Sequence, residues 1–191
     1  PASMATSGRF MPVSPQRVLD TRNVDGPLRG GTSRVVNLSN MGVPPDAVAA
    51  ALKVTVTETG SGWWAVYAAG APPQPWTSNI NTDGPNHTRP NLIVTPLNGA
   101  SFEIFSLVGG HVVVDLAGWY TGSSAPSSDQ GLFVATEPER LLDTRAAGYP
   151  PRANNKVEVP ILGRATISTS GVGAVVMNAT ATEAAAPVPQ A

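Results

Sequence analysis

Leu52-Lys53-Val54-Thr55-Val56-Thr57 alternates apolar and polar residues without a break. Successive strand side chains point to opposite faces, so Leu52, Val54 and Val56 share one face while Lys53, Thr55 and Thr57 share the other. β-branched residues suit a pleated, half-buried surface. This stretch reads as a strand that covers a core on one side, and the residues around it repeat the theme. Upstream, Phe10 to Leu19 carries Pro12 and Pro15 and reads as an edge strand or an extended arm. Arg34 to Leu38 is a short strand, and Ala47 to Ala51 makes one helical turn or runs into the next strand. Downstream come strands at Trp63 to Ala69, Leu92 to Val94, Ser101 to Leu107 and His111 to Leu116, with Gly60-Ser61-Gly62 as a turn and Asn98-Gly99 and Gly109-Gly110 as hairpin turns.

Short strands at this spacing predict an all-β fold, an antiparallel β-sandwich of jelly-roll or Ig-like type, with a closed barrel as runner-up. Composition agrees. Of 191 residues, 41% are hydrophobic and only 13% charged, with 19 Gly and 19 Pro to turn the corners. The net charge of −1 comes without a Lys/Arg cluster, which argues against nucleic acid and anionic membranes as partners. Cysteine is absent, which removes thiol, disulfide and zinc-thiolate chemistry. No apolar run approaches the ~18 residues of a membrane span. The chain starts at Pro1 and reads as a processed or trimmed polypeptide, for which a signal peptide already removed or not included is one explanation.

The same strand occurs twice. Val175-Val176-Met177-Asn178-Ala179-Thr180-Ala181-Thr182 places Met177, Ala179 and Ala181 at the positions of Leu52, Val54 and Val56, and Asn178 and Thr180 at those of Lys53 and Thr55. Before it, Phe133 to Arg145 matches Phe10 to Arg22, with Pro, Arg, Leu and a closing Asp-Thr-Arg in register. Lys156 to Val159 matches the Arg34 to Leu38 strand. The chain is therefore divided into a flexible arm (1–9), a complete sandwich repeat (10–121), a Ser/Pro linker (122–132) and a partial second repeat (133–191) with front-half strands only.

The segments Arg17-Val18-Leu19-Asp20-Thr21-Arg22, Gly42-Val43-Pro44, Leu52 to Thr57, Ser78-Asn79-Ile80-Asn81 and Val113 to Tyr120 resemble a tandem Leu-Asp-Thr-Arg-type β-repeat of large secreted or surface proteins of actinobacteria and related bacteria. The resemblance covers residues 10 to 120 and 133 to 183. It implies an extracellular β-rich module and supplies no catalytic residues. Lys53 departs from the pattern, which usually has Asn there, as Asn178 does.

No cofactor is implied, and catalytic candidates are thin. His111 and Asp115 share a strand face but stand about 13 Å apart, and His87 sits in a turn without an acid nearby. Glu58, Glu103 and Asp115 offer carboxylates, but nothing selects a pair. Asp115, Asp83 and Asn81 supply oxygen ligands for calcium at a spacing that matches no known loop. Asp20 and Arg22, with Asp143 and Arg145, read as a structural brace used by both repeats. Trp63, Trp64, Trp76 and Trp119, with Tyr120, offer a flat platform for a glycan. Asn37, Asn86 and Asn178 stand in N-x-Ser/Thr triplets.

Two functional expectations follow. The first is a non-catalytic extracellular structural protein that self-assembles head to tail into a filament or surface layer, using Val175, Met177, Ala179 and Ala181 as its interface. The second is a carbohydrate-binding or adhesion module, or a piece of a larger surface protein.

Overall fold

The computed structural model describes residues 4–71, 77–146, 155–164 and 166–182. They fall into two units, 1–134 and 135–191. The first unit has eight strands: β1 (Phe10–Asp20), β2 (Thr32–Asn37), β3 (Ala49–Thr59), β4 (Gly62–Ala68), β5 (Ile80–Thr82), β6 (His87–Pro96), β7 (Ser101–Ser106) and β8 (His111–Tyr120). Among the described residues one 3-10 turn, Ser39–Met41, interrupts the β structure. The Leu52 stretch lies within β3, and Ala49 to Ala51 continue that strand.

The strands form two antiparallel sheets, β1-β8-β3-β6 (sheet I) and β2-β7-β4-β5 (sheet II). This order is a jelly roll, the first of the two sandwich types expected. Its logic is a long hairpin rolled up on itself. β1 pairs with β8, β2 with β7, β3 with β6 and β4 with β5, while β3 also pairs with β8 and β4 with β7. No pairing joins β1, β2 and β3 to one another.

The topology corrects the reading of two turns. The strands joined at Asn98-Gly99 and Gly109-Gly110 do not pair as hairpins: the first turn closes locally, Asn98 and Ser101 exchanging backbone hydrogen bonds of 2.9 and 3.0 Å, but carries the chain from β6 in sheet I to β7 in sheet II, and the second carries it back to β8. Turn chemistry reports where a chain bends, whereas the pairing of the strands it joins is decided by the rest of the fold. Gly109 and Gly110 have φ of 80° and 129°. A Cβ on Gly110 would lie 2.8 Å from that of Thr59, so this corner needs glycine for space as well as for conformation.

The inward faces of both sheets make one core. Leu52, Val54 and Val56 of β3 meet Val112, Val114 and Leu116 of β8 and, from sheet II, Trp64, Phe102 and Ile104, all fully buried. Period two holds from Leu52 to Thr57 and along β7, where the alternation in the sequence shows which face turns inward, whereas β4 buries four successive residues, Trp64 to Tyr67.

The arm and the linker differ from the expectation. Residues 4–9 are not a free arm, and residues 122–131 are not an unanchored linker, because they hold each other. Ala5 and Ser128 exchange backbone hydrogen bonds of 2.9 and 3.0 Å, and Phe10 N–H donates to Gly131 O at 2.7 Å. Arg9 is buried, and its guanidinium donates to Pro126 O at 2.7 Å and Gln130 O at 3.1 Å. Gly122 backs directly onto the Asp46 carbonyl, leaving no room for a Cβ. The small residues of both segments permit close backbone pairing.

The second unit departs further. Among its described residues no strand forms: Ala135 to Asp143, Lys156 to Val159 and Val175 to Thr182 have no sheet partner. The sequence matches these segments to β1, β2 and β3, and in the first unit every partner of those strands comes from β6, β7 or β8.

Candidate functional site

The brace expected at Asp20 and Arg22 closes the C-terminal end of β1. Arg22 donates to the Asp20 carboxylate three times, through its backbone N–H (3.1 Å), Nε (2.8 Å) and Nη2 (2.6 Å). Arg17 Nη1 reaches the same carboxylate at 2.9 Å. Charge-assisted, bidentate bonds of this kind are directional, which suits them to fixing a turn. The Arg22 hydrogen bonds hold the Asp20 carboxyl well below the usual carboxylate range, against the opposing effect of desolvation. Arg17 then reaches across the sheet, its Nε donating to Asp115 Oδ1 at 2.5 Å, which ties β1 to β8. Thr21, fully buried between Asp20 and Arg22, accepts the Val112 N–H at 2.8 Å and lies 3.0 Å from His111 Nδ1.

The second copy builds the same clamp. Arg145 donates to Asp143 through its N–H (3.1 Å), Nε (2.9 Å) and Nη2 (2.7 Å), and Arg140 Nη1 lies 3.1 Å from the same carboxylate. Asp143 is held low by Arg145 as Asp20 is by Arg22. Arg140 was not singled out from the sequence. The signal was there, because Arg17 and Arg140 both stand three residues before the aspartate.

Val175, Met177, Ala179 and Ala181 lie exposed, as do Phe133, Val134 and Val176. Met177 is 57% exposed and Val176 81%, whereas Leu52, at the position of Met177, is fully buried. Apolar side chains of a strand-patterned segment are thus presented to solvent.

The tryptophan platform does not form among the described residues. Trp64 is in the core, its Nε1 donating to Thr59 Oγ1 at 3.3 Å. Trp63, pointing the other way, lies half-buried on the outer face of sheet II with its ring 5.1 Å from Phe105. Trp119, in sheet I, packs against the core. Trp76 lies outside the described residues. Adjacent residues on a strand cannot share a face, so Trp63 and Trp64 were never able to line one surface together.

Catalytic and metal candidates are likewise dispersed. His111 turns to Thr21, Asp115 to Arg17, and Glu103 to Ser33 and, at 3.4 Å, the Gly70 N–H. Glu58 stands near Arg22 and adds to the electrostatic support of that guanidinium. Asp83 pairs with Arg89 at 3.4 Å rather than with Asp115 or Asn81. Among the described residues no three acidic, histidine or cysteine side chains come together in a way that would hold a metal ion. Asn37 is occupied within its own turn, donating to Ser101 Oγ and accepting from Ser39 N–H, both at 2.8 Å. No helix is long and apolar enough to cross a membrane among the described residues. Comparison of the chain with protein-family models, with curated proteins and with solved structures finds no match.

Proposed function

We propose that this chain is a non-catalytic structural protein of the cell exterior that joins other polypeptide segments by completing half-built jelly rolls. One observation carries the reading. By sequence match the second unit carries segments like β1, β2 and β3, strands that in the first unit pair only with β6, β7 and β8, and the apolar side chains of its 175–182 segment lie exposed. Strand edges in that condition recruit other strands, since main-chain hydrogen bonds and apolar burial are both to be gained.

Stoichiometry narrows the donor. Residues 1–191 contain two front halves and one back half, so identical copies that exchange halves leave as many modules open as before. The strongest completion therefore comes from a segment with a back half to spare, in another polypeptide or elsewhere in a longer one. Identical copies retain a weaker route to a filament, edge-to-edge pairing of their 175–182 segments, which covers Val175 and Met177.

The test is to extend the chain after Thr182 with a second copy of residues 60–121 and to follow size by light scattering and protection by hydrogen exchange. The unextended chain is expected to associate as its concentration rises, and the Val175→Lys, Met177→Lys double variant to stay dispersed. The extended chain is expected to be dispersed with residues 175–182 protected. An extended chain whose 175–182 amides exchange freely would refute the proposal.

A further inference from the structure

In the first unit a row of charge crosses sheet I. Arg17 on β1 and Lys53 on β3 both face Asp115 on β8, the strand between them. Arg17 serves two carboxylates at once, Asp20 on its own strand through Nη1 and Asp115 on the next through Nε. In the sequence of the second unit, Arg140 and Asn178 stand at the positions of Arg17 and Lys53, and no residue there stands for Asp115. Arg140 holds Asp143 through Nη1 as Arg17 holds Asp20, its side chain is 70% exposed, and among the described residues it makes no second ion pair. Asn178, a neutral hydrogen-bonding residue, stands where the first unit has Lys53.

We infer that the second unit selects the strand it accepts by an aspartate, received by the Arg140 guanidinium at the position that Asp115 holds against Arg17. This rests on the completion reading above and names the chemistry of the occupant: a β8-type strand, apolar on its inward face, with a carboxylate on its outer face opposite Arg140. Charge complementarity favours that occupant over a neutral or basic strand. Register adds a second argument. A slip of one residue turns every side chain to the wrong face, and the small Ala179 and Ala181 specify register by packing less sharply than Val54 and Val56 do. An ion pair at a single position supplies what those alanines do not. In the first unit the corresponding contact joins residues far apart in sequence, so it forms only when β8 is correctly seated.

The test uses the chain extended after Thr182 by residues 60–121. A register probe is available because the protein has no cysteine: Thr55 faces Val113 in the first unit, so Thr180→Cys with Val113→Cys in the appended segment reports the matching pair by disulfide formation. Arg140→Gln, or Asp115→Asn in the appended segment alone, is expected to lower the disulfide yield and speed exchange of residues 175–182 by about three- to fivefold, as for a partly exposed ion pair. Arg140→Asp combined with Asp115→Arg in the appended segment is expected to restore both. Protection and yield that are unchanged in the single variants would overturn the aspartate assignment while leaving completion intact. Free exchange at 175–182 in the unsubstituted extended chain would overturn both.

Discussion

The two Asp-Thr-Arg stretches fold alike, and the strands that follow them do not. Asp20 and Asp143 accept the same three hydrogen bonds from the arginine two residues on, and their distances differ by no more than 0.1 Å in each case. By contrast, Leu52, Val54 and Val56 are fully buried in a central strand, while Met177, Ala179 and Ala181 are exposed and have no sheet partner. The clamp spans a few residues, so its geometry is closed by the local chain. The strand depends on β6 and β8, whose residues arrive dozens of positions later. The comparison separates what a short sequence can build by itself from what it can only prepare.

The largest difference between the copies is expected in the core. Leu52→Ala should destabilise the first unit by about 2–5 kcal/mol, the usual cost of removing a buried leucine, whereas Met177→Ala should change thermal stability by less than about 0.5 kcal/mol. Equal losses in calorimetry would mean that Met177 is already packed, and the contrast would be gone.

A smaller effect is expected at the join between arm and linker. Gly122→Ala sets a Cβ against the Asp46 carbonyl and should cost about 1–3 kcal/mol, as overpacking does. Hydrogen exchange at Ala5, Gly8 and Ser128 should rise with it. If those amides stay protected, the arm is held by something other than its pairing with the linker.

Acid should produce the smallest effect. The folded Asp20 carboxyl titrates below its ordinary value, so its ion pairs contribute stability above about pH 4. That contribution is lost as the pH falls and the carboxylate takes up a proton. Because the Asp143 clamp forms without a sheet around it, part of the Asp20 clamp should also survive unfolding, which reduces the net pH dependence. Thermal midpoints of Asp20→Asn and of the unsubstituted chain should differ at neutral pH and converge in acid, and Asp143 should titrate low by NMR even though its unit lacks strands. An ordinary titration at Asp143 would show that the clamp needs the sheet after all.

These contrasts also explain how far the sequence could be read. Period two in Leu52 to Thr57 placed each residue on its correct face, because alternation is a property of the extended chain and needs no partner. The Asp-Thr-Arg brace was legible for the same local reason. Pairing was not legible at Asn98-Gly99 and Gly109-Gly110, where bends that resemble hairpins carry the chain between sheets. Nor was the role of Arg9, whose acceptors are carbonyls of a segment more than a hundred residues away and leave no mark in composition. The Trp platform was not legible either, because which of the tryptophans is buried depends on the packing of the two sheets, and Trp64 lies in the core while Trp63 lies on the outer face of sheet II.

By itself, then, the sequence determined the strand character of its segments, which of their faces is apolar, and the twice-built clamp, since each follows from neighbours along the chain. Only the tertiary structure decided the jelly-roll order, the docking of arm on linker, and the fact that strands one to three have no partners among themselves. Those features depend on segments distant in sequence meeting in space. By that rule of pairing β1, β2 and β3 find their partners only in β6, β7 and β8, and the proposed opening of the second unit to a partner rests on it.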